Sequence, residues 1–493
     1  MRKILMLLLI VSIGIFAFSC GEDASVNEPG DDSGGVDITG GGVGETVDPV
    51  EDRWANAFDD LGEFNFNGYV FRSITRSGNI MLEVEEMTGE IINDAQFERN
   101  RRIEERFNIV FSERMIPSDQ FAIPMRNSLL AGDRAYDVMV IRGPNAFDFA
   151  AEGLLRPFTD LPHVDLSKPY WDAWLTAQWS VANRIFFAAG AYDTALTGST
   201  ASLLFNKQLA ADLGLESPFN VVREGRWTLD KFGEMARAAV LDLDGDGAMT
   251  ASDRHGFVAS TRQFQPAMWI GLGVTSIAFD SDDLPYLSAT GPAFINAWFR
   301  MVDVLIDGGA WFSAPNPNPH PDPLSQEIFR DGRAMFMHSG LGGIEALRDM
   351  ELDFGILPYP KLNEQQENHY SSLVWIEILS VPIYADEDDL YRTSVILEAL
   401  ASDSYRNILP LYTDLVLRTR HARDDESEEM IDIILGNRVF DWGDAIWTPL
   451  LRDGIFPHIW PHATDTIVSR LEAAEQNIQS TIDNMIDMFM ALN

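Results

Sequence analysis

The sequence predicts an α/β fold built on a parallel sheet. Strand-like and helix-like segments alternate early in the folded part of the chain, and the apolar run 202–205 is typical of a buried strand that leads into another helix. The alternating segments are a strand over 69–75, a helix from Asn93 or Asp94 to Phe107, a strand over 109–111, a helix over 118–131 and a strand over 136–141. Such alternation indicates parallel strands joined by right-handed crossovers.

The first residues have the features of a secretory signal. Arg2 and Lys3 form a positive start, residues 4–16 are apolar, and Cys20 is the only cysteine of the chain. A sole cysteine at the cleavage point resembles a bacterial lipoprotein, which predicts a signal peptide over 1–19 and lipidation of Cys20. An ordinary signal peptide that leaves a free thiol is the alternative. No later segment reaches the roughly 20 apolar residues of a membrane helix, so the lipid is the only predicted anchor.

Residues 20–52 are rich in Gly, Asp, Glu and Ser and carry few apolar side chains. Because such a segment cannot bury a core, it is predicted to be a flexible tether. The remaining residues, roughly 440, suffice for two or three domains. A hydrophobic content of 46%, with 12 Trp and 30 Phe, allows these domains to have large cores.

The chain is strongly acidic. Its formal net charge is −40, from 76 acidic and 36 basic residues, and only five of the basic residues are lysines. Nucleic acid is excluded as a partner because binding it requires a basic surface that this composition does not supply. The acidic surface favours solubility.

Two arginines directly follow strands of the predicted sheet. Arg76 comes after the first strand and Arg142 after the third. Because ligands of open α/β sheets bind beyond the carboxyl ends of the strands, both arginines are candidates for the rim of a ligand cleft. The alternative is that they are exposed loop residues that pair with some of the many acidic side chains.

The segment 242–253 has the carboxylate spacing of a calcium-binding EF-hand loop. Carboxylates occupy loop positions one, three, five and twelve, and Gly247 stands at position six, where the loop turns sharply. We predict a structural Ca²⁺ site, since calcium takes about six to eight oxygen ligands. The candidate ligands are Asp242, Asp244, Asp246, Asp253, the carbonyl of Ala248, and Thr250 or a water behind it. Position twelve is Asp instead of the usual Glu, and an acidic surface turn without metal is the alternative.

Several short motifs occur along the chain in a fixed order. They are Asn93-Asp94-Ala95, Arg99-Asn100-Arg101-Arg102, Tyr136-Asp137-Val138, Phe205-Asn206-Lys207, Gly225-Arg226-Trp227-Thr228-Leu229-Asp230, the acidic loop, Asp331-Gly332-Arg333-Ala334-Met335-Phe336, and the run from Phe354 to Pro360. Together they resemble family 1 of the bacterial extracellular solute-binding proteins, the carbohydrate-type receptors of ABC importers, in their lipoprotein form. The resemblance covers most of residues 64–493 and is carried by the order of the motifs.

This resemblance implies a two-lobed periplasmic-binding-protein-like fold, in which each lobe is a sheet flanked by helices and crossing strands form the hinge. The predicted lobes are 64–192 plus 340–376 for the first, and 198–338 plus 380–493 for the second. The expected crossings are near 189–198, 338–343 and 375–382. A long amphipathic helix over 464–490 is predicted to pack on the second lobe.

The resemblance also implies a sugar site between the lobes. Such sites need aromatic faces for the C–H side of the sugar ring, and carboxylates or amides for its hydroxyls. Trp375 and Glu377 are the leading pair, because alternation along a strand places both side chains on one face. The other candidate ligand-binding residues are Arg76, Arg142, Tyr192, Asp193, Trp269 and Ser339. For each tryptophan, packing in the core is the alternative.

The predicted function is a lipid-anchored extracytoplasmic receptor at the cell membrane. It is expected to be a monomer that captures a small solute, a sugar or oligosaccharide, by hinge closure and delivers it to the permease subunits of an ABC importer. The sequence has no nucleophile elbow, zinc-protease motif or phosphate loop that would indicate an enzyme. The alternatives are a secreted carbohydrate-active enzyme that works with two carboxylates, and a sensory or structural surface lipoprotein.

Overall fold

The computed structural model describes residues 57–76, 84, 86–117, 120–312, 322–347, 350–373, 376–417 and 425–492. The predicted signal peptide, the tether and Cys20 lie outside these residues, and so does Trp375. Lipidation of Cys20 and membrane anchoring therefore stay predictions. Within the described ranges, no helix combines the length and the apolarity needed to cross a bilayer.

The strands in the described ranges are numbered in chain order. They are β1 Tyr69–Arg76, β2 Ile109–Ile116, β3 Val138–Arg142, β4 Trp171–Asp172, β5 Ala189–Gly190, β6 Ala201–Asn206, β7 His255–Val258, β8 Ile277–Phe279, β9 Pro285–Leu287, β10 Trp311–Phe312, β11 Ala334–Gly340, β12 Phe354–Leu357, β13 Ser371–Ser372, β14 Glu377–Ser380 and β15 Arg438–Val439. Most of them belong to two mixed sheets, and the others form short two-stranded ribbons.

The α-helices are numbered in the same way. They are α1 Ile91–Phe107, α2 Ala122–Ala131, α3 Gly143–Ala151, α4 Ala173–Ala177, α5 Thr194–Gly198, α6 Lys207–Asp212, α7 Pro218–Arg223, α8 Leu229–Ala239, α9 Thr261–Gly271, α10 Pro292–Val302, α11 Pro323–Arg330, α12 Glu387–Asn407, α13 Leu409–Leu417, α14 Asp425–Gly436, α15 Trp442–Ala445, α16 Phe456–Ile459 and α17 Ile467–Ala491.

The first sheet has the strand order β14-β3-β1-β2. β1 runs parallel to both of its neighbours, and its register with β2 pairs Tyr69 with Ile109 and Arg76 with Ile116. β14 runs antiparallel to β3 at one edge. The predicted alternation over residues 69–141 is confirmed, because α1 and α2 connect parallel strands of one sheet.

Helices α1 and α12 pack together in the first lobe. α12 begins with a capping box, in which the side chains of Asp386 and Asp389 each accept a bond from the backbone of the other. Arg102 of α1 donates to both oxygens of Asp403 in α12, at 2.9 and 2.7 Å. The buried apolar residues of both helices join those of the sheet, including the fully buried Phe71, in one core cluster.

The second sheet has the strand order β10-β7-β11-β6-β12. β6 runs antiparallel to its neighbours β11 and β12, whereas β10, β7 and β11 are mutually parallel. All six residues of β6 are buried, as predicted for this apolar run. The predicted cap of α8 is also present, since Thr228 accepts a bond from the backbone of Lys231. Phe232 of α8 then packs on Phe336 of β11, with ring centroids 4.9 Å apart.

The lobe boundaries differ from those predicted. β12 pairs with β6, so residues 340–357 belong to the second lobe and not to the first. β14 pairs with β3 and α12 packs on α1, so residues 380–407 belong to the first lobe and not to the second. The expected crossing at 338–343 is instead the end of β11 and a short helical segment, Leu341–Leu347, that joins the second core. The chain passes between the lobes in the β5–β6, β12–β14 and α12–α14 connections.

The C-terminal helix α17 contacts both lobes, although the sequence predicts it on the second lobe alone. It packs against α3, which follows β3 of the first sheet, and against β9 in the hairpin that follows α9. Phe489 near its end packs against Phe186, with ring centroids 5.6 Å apart. Arg184 donates to the carbonyl of Leu492 at 2.5 Å. The last helix therefore bridges the two halves of the fold.

Candidate functional site

A cavity of about 320 Å³ lies where the parallel strands β7 and β11 end. The β5–β6 crossing contributes to its wall. The polar side chains that line it are Ser199, Arg262, Gln263, Asp322, Ser325, Gln326, His338, Ser339 and Arg452. The carboxyl end of parallel strands is where α/β proteins bind ligands, and pockets for small molecules have volumes of about 300–1,000 Å³. The cavity is therefore the candidate ligand site.

Two arginines of the second lobe line this cavity and share one carboxylate. Arg262, in the first turn of α9, donates to both oxygens of Asp453 at 2.9 and 2.7 Å. The side chain of Arg452 is only 3% exposed and lies 3.4 Å from Asp453 and 3.0 Å from Asp444. Burial raises the pKa of Asp444 to about 6, against the opposing effect of Arg452. This wall of the cavity is charged, and its charges are paired.

Neutral polar groups complete the wall. Ser339, a predicted ligand residue, lines the cavity, and its hydroxyl donates to the next carbonyl along β11 at 2.8 Å. Gln263 accepts a bond from the hydroxyl of Ser260 at 3.1 Å. Nδ1 of the lining residue His338 lies 2.6 Å from the hydroxyl of Tyr359. Hydroxyl, amide and imidazole groups can both donate and accept, as the hydroxyls of a polar ligand require.

The structure brings together three predicted residues at the end of the first sheet. Arg142 and Glu377 are direct partners across β3 and β14. Arg76 Nη2 lies 2.5 Å from Glu377 Oε1, and the side chain of Glu377 is 4% exposed. Glu377 Oε2 has no hydrogen-bond partner among the described residues. Burial raises the pKa of Glu377 to about 7, although the two arginines lower it.

Neighbouring charges affect the pKa of Arg142 at the end of the first sheet. Burial lowers the pKa of Arg142, and the positive charges of Arg76, Arg452 and Arg262 lower it further, whereas Glu377 raises it. Interactions of this kind require short separations in a region of low dielectric constant.

Other predicted ligand residues lie elsewhere. Tyr192 belongs to the first core, and its hydroxyl donates to a nearby backbone carbonyl at 2.7 Å. Trp269 is 1% exposed in the second lobe, and its Nε1 donates to Asp441 at 3.0 Å. Both are core residues and not cavity walls, because their rings are packed and their polar atoms are satisfied. Asp193 caps α5, and burial raises its pKa to about 6; its charge in turn raises the pKa of Glu377.

Sequence reasoning missed Arg262, Gln263 and Arg452. The first two could have been found, because they come shortly after the end of β7 and the rule on the carboxyl ends of strands applies to both lobes. Arg452 lies between α15 and α16 in a segment without a recognisable motif. Only the folded chain reveals its position in the cavity.

The acidic loop lies apart from the cavity lining, between α8 and β7. Carboxylate oxygens of Asp242, Asp244 and Asp246 lie within 4.8 Å of one another, and Gly247 turns the chain with a φ of +86°. Asp253 does not join this group. It is fully buried, and its two oxygens accept bonds from the backbone of Leu243 and from Thr250, which lowers its pKa. The hydroxyl of Thr250 also faces Asp253, at 3.1 Å.

Residues 103–322 match the family described as bacterial extracellular solute-binding protein. No curated protein matches the sequence. This family match confirms the relationship that the motifs predict. The same match supports the prediction of an extracellular binding protein.

Solved structures with this fold have low sequence identity to the chain. UspC of Mycobacterium tuberculosis is 14% identical, with a TM-score of 0.55 over 84% of this chain and 100% of its own. UgpB of the same organism, in complex with glycerophosphocholine, is 18% identical, with a TM-score of 0.53 over 86% and 99%. An ABC substrate-binding protein from Listeria monocytogenes, in complex with cycloalternan, is 12% identical, with a TM-score of 0.50 over 86% and 100%. These likenesses confirm the two-lobed fold.

The raised pKa of Glu377 predicts a pH dependence of stability. In the folded chain the carboxyl of Glu377 keeps its proton up to about pH 7, whereas its ordinary pKa is 4.5. Between these two pH values the native state binds more protons than the unfolded state. The free energy of unfolding therefore falls as pH rises through this range. Glu377→Gln should therefore reduce the loss of unfolding free energy between about pH 5 and 8 by about 1–3 kcal/mol. Urea unfolding at both pH values measures this loss.

Glu234→Gln is the control for this experiment, because Glu234 lies on the surface of α8 with its side chain 62% exposed. The control should retain the pH dependence of the wild type. Equal pH dependence in Glu377→Gln and the wild type would contradict the assignment of a buried, protonated Glu377.

Proposed function

We propose that the chain captures a carbohydrate between its lobes and delivers it to an ABC importer, because residues 103–322 match the family described as bacterial extracellular solute-binding protein. The observation that carries this proposal is the cavity at the ends of β7 and β11. The ligand is held by contacts to both walls, and binding is the activity.

The chemistry of the cavity suits a ligand with many hydroxyl groups. Gln263 and Ser339 offer an amide and a hydroxyl from the second lobe. A sugar hydroxyl can donate one hydrogen bond to such a group and accept another from it. The Listeria protein with this fold was solved with cycloalternan, which also supports a saccharide ligand.

Closure of the lobes links binding to delivery. Contacts to both walls form together only when the lobes are closed, so the ligand stabilises the closed state over the open one. To shift the ratio of closed to open forms from 1:99 to 99:1, the ligand must bind the closed form about 10⁴-fold more tightly than the open form, a difference of about 5.5 kcal/mol. The β5–β6, β12–β14 and α12–α14 connections supply the hinge.

A thermal-shift and calorimetry screen tests the proposed function. Mono- and oligosaccharides should raise the melting temperature of the mature chain, because a ligand that binds the native state stabilises it by mass action. Gln263→Ala should weaken sugar binding about tenfold, since it removes a hydrogen-bonding side chain from the cavity. Gln208→Ala, on the exposed face of α6, is the matched control. A stabilising effect of amino acids or peptides with none from any saccharide would refute the carbohydrate assignment.

We also propose that the acidic loop binds one structural calcium ion. Three clustered carboxylates support this, with Asp253 bracing the loop from inside instead of acting as a ligand. A chelator should lower the melting temperature of the wild type, whereas Asp244→Asn should be less stable and insensitive to the chelator. Elemental analysis should find about one calcium per chain. A melting temperature that chelation leaves unchanged, with no calcium detected, would refute the site.

Membrane anchoring through a lipid on Cys20 is part of the proposed function and is supported by the sequence alone. Cys20→Ser should move the protein from the membrane fraction to the soluble fraction of cells that process lipoproteins, because the single anchor is lost. Fractionation with immunoblotting measures this change. An unchanged membrane fraction in the variant would refute anchoring through Cys20.

A further inference from the structure

We propose that a second cavity, separate from the candidate ligand site, binds a small organic cation that carries an apolar body. This second cavity lies between the end of α3, the segment 446–450 and one face of α17. It shares no lining residue with the cavity at the ends of β7 and β11. Binding of such a cation is therefore independent of carbohydrate capture.

The second cavity has room for an organic molecule. Its volume of about 520 Å³ exceeds the volume of the candidate ligand site and falls within the range of about 300–1,000 Å³ that small-molecule pockets have. Three separate segments of the chain form its walls, and much of this lining is apolar. The apolar and aromatic lining residues are Pro144, Ala151, Ile446, Trp447, Pro449, Leu450, Met485 and Met488.

The wall formed by α3 is negatively charged. Asp148 and Glu152 both line the cavity, and the backbone N–H of Glu152 donates to the carbonyl of Asp148 at 3.0 Å. Their side chains therefore lie one helical turn apart on the same face. α3 ends at Ala151, and the partial negative charge at the carboxyl end of a helix favours a cation. The electrostatic field at this wall thus favours a positively charged ligand over an anion.

One of these two carboxylates has no protein partner. Glu152 accepts a hydrogen bond from Arg126 of α2. Among the described residues, the carboxylate of Asp148 has neither a hydrogen bond nor an ion pair. Partial burial raises the pKa of Asp148 and the charge of Glu152 raises it further, whereas Arg126 lowers it. A cation bound beside Asp148 would compensate the repulsion between the two carboxylates.

The face of α17 supplies acceptors and adaptable apolar side chains. The hydroxyl of Thr481 lines the cavity and donates to the carbonyl of Asn477 at 3.0 Å, so its oxygen can accept a bond from an ammonium group. Met485 and Met488 also line this face, and methionine adapts its shape to irregular ligands. The ring of Trp447 offers a surface for the apolar body or for a cation–π contact.

A metal ion does not fit this cavity. Among the described residues, the only group of three carboxylates close enough to hold a metal is that of Asp242, Asp244 and Asp246 in the acidic loop. Two carboxylates line the second cavity, beside a larger number of apolar side chains. A metal ion would leave this apolar surface uncovered, whereas an amine with an apolar body would cover it.

A cation bound here would affect how the lobes are held together. The cavity lies where α17 packs on α3 of the first lobe. A molecule held between the two helices adds contacts to this packing. Because a ligand stabilises the conformation that it binds more tightly, occupancy should favour the arrangement of the lobes in which α17 and α3 are packed.

Isothermal titration calorimetry of the mature chain tests the proposal with three matched probes. Phenethylamine has the charge and the apolar body, 2-phenylethanol has the body without the charge, and ethylamine has the charge without the ring. Phenethylamine should bind one site per chain, about tenfold or more tightly than either of the others. Its affinity should fall as salt is added, because salt screens the charges.

Two variants assign this binding to the second cavity. Asp148→Asn should weaken phenethylamine binding about tenfold, because it removes a charge and preserves the shape of the side chain. Asp483→Asn is the matched control, since Asp483 lies on α17, accepts a bond from Gln479 at 2.8 Å and does not line the cavity. Met488→Gln should weaken binding about threefold through lost apolar contact. Met488 is 41% exposed, so this change should leave the fold intact.

Nuclear magnetic resonance of isotope-labelled methionine methyl groups locates the bound probe. The methyl signals of Met485 and Met488 should shift when phenethylamine is added, whereas Met249 in the acidic loop should not respond. Gln263→Ala, which changes the other cavity, should retain the wild-type affinity for the amine.

Several results would overturn the proposal without affecting carbohydrate capture. These are no binding of phenethylamine, equal binding of the amine and the alcohol, or equal losses in Asp148→Asn and Asp483→Asn. Analytical ultracentrifugation supplies a further one. If the wild type self-associates and Met488→Gln abolishes the association, a second copy of the chain covers this cavity instead of a small cation.

Discussion

The pairing of β14 with β3 is the interaction on which the rest of the site depends. The chain leaves the first sheet, builds the second, and then returns to add an edge strand beside β3 through four residue pairs. This return places the start of β14 against the end of β3, so Glu377 lies next to Arg142. The strand topology thus places a buried carboxylate beside two arginines at strand ends. The same pairing of β14 with β3 joins two distant chain segments in one lobe.

The local sequence pattern was sufficient to predict part of the fold. The alternation over residues 69–141 appears in the structure as predicted, because each step between those elements is short and the apolar periodicity differs between strand and helix. The lobe boundaries were wrong because β12 and β14 are short, uniformly buried strands whose partners lie more than a hundred residues away. Nothing in a run of four buried residues indicates which sheet it joins.

The candidate site, like the fold, could be predicted from the sequence only in part. Arg76 and Arg142 were predicted from strand ends, and Glu377 from its alternation with Trp375 along a predicted strand. The structure places Glu377 against both arginines. Trp269 was misassigned because aromatic residues serve cores and sugar sites equally well, and its bond to Asp441 cannot be foreseen from spacing. The acidic loop has the most recognisable motif but lies apart from the cavity lining, whereas the cavity itself is built from residues without such a motif.

Helix α17 constrains how the two lobes can move. It packs on α3 of the first lobe and on β9 beyond the second sheet, and its end is tied to Phe186 and Arg184. A rotation of the lobes must either carry this helix with one of them and break its contacts with the other, or preserve both sets of contacts and stay small. The contacts of the final helix with both lobes therefore limit their rotation about the hinge. The free energy of its packing contributes to the equilibrium between the open and closed forms.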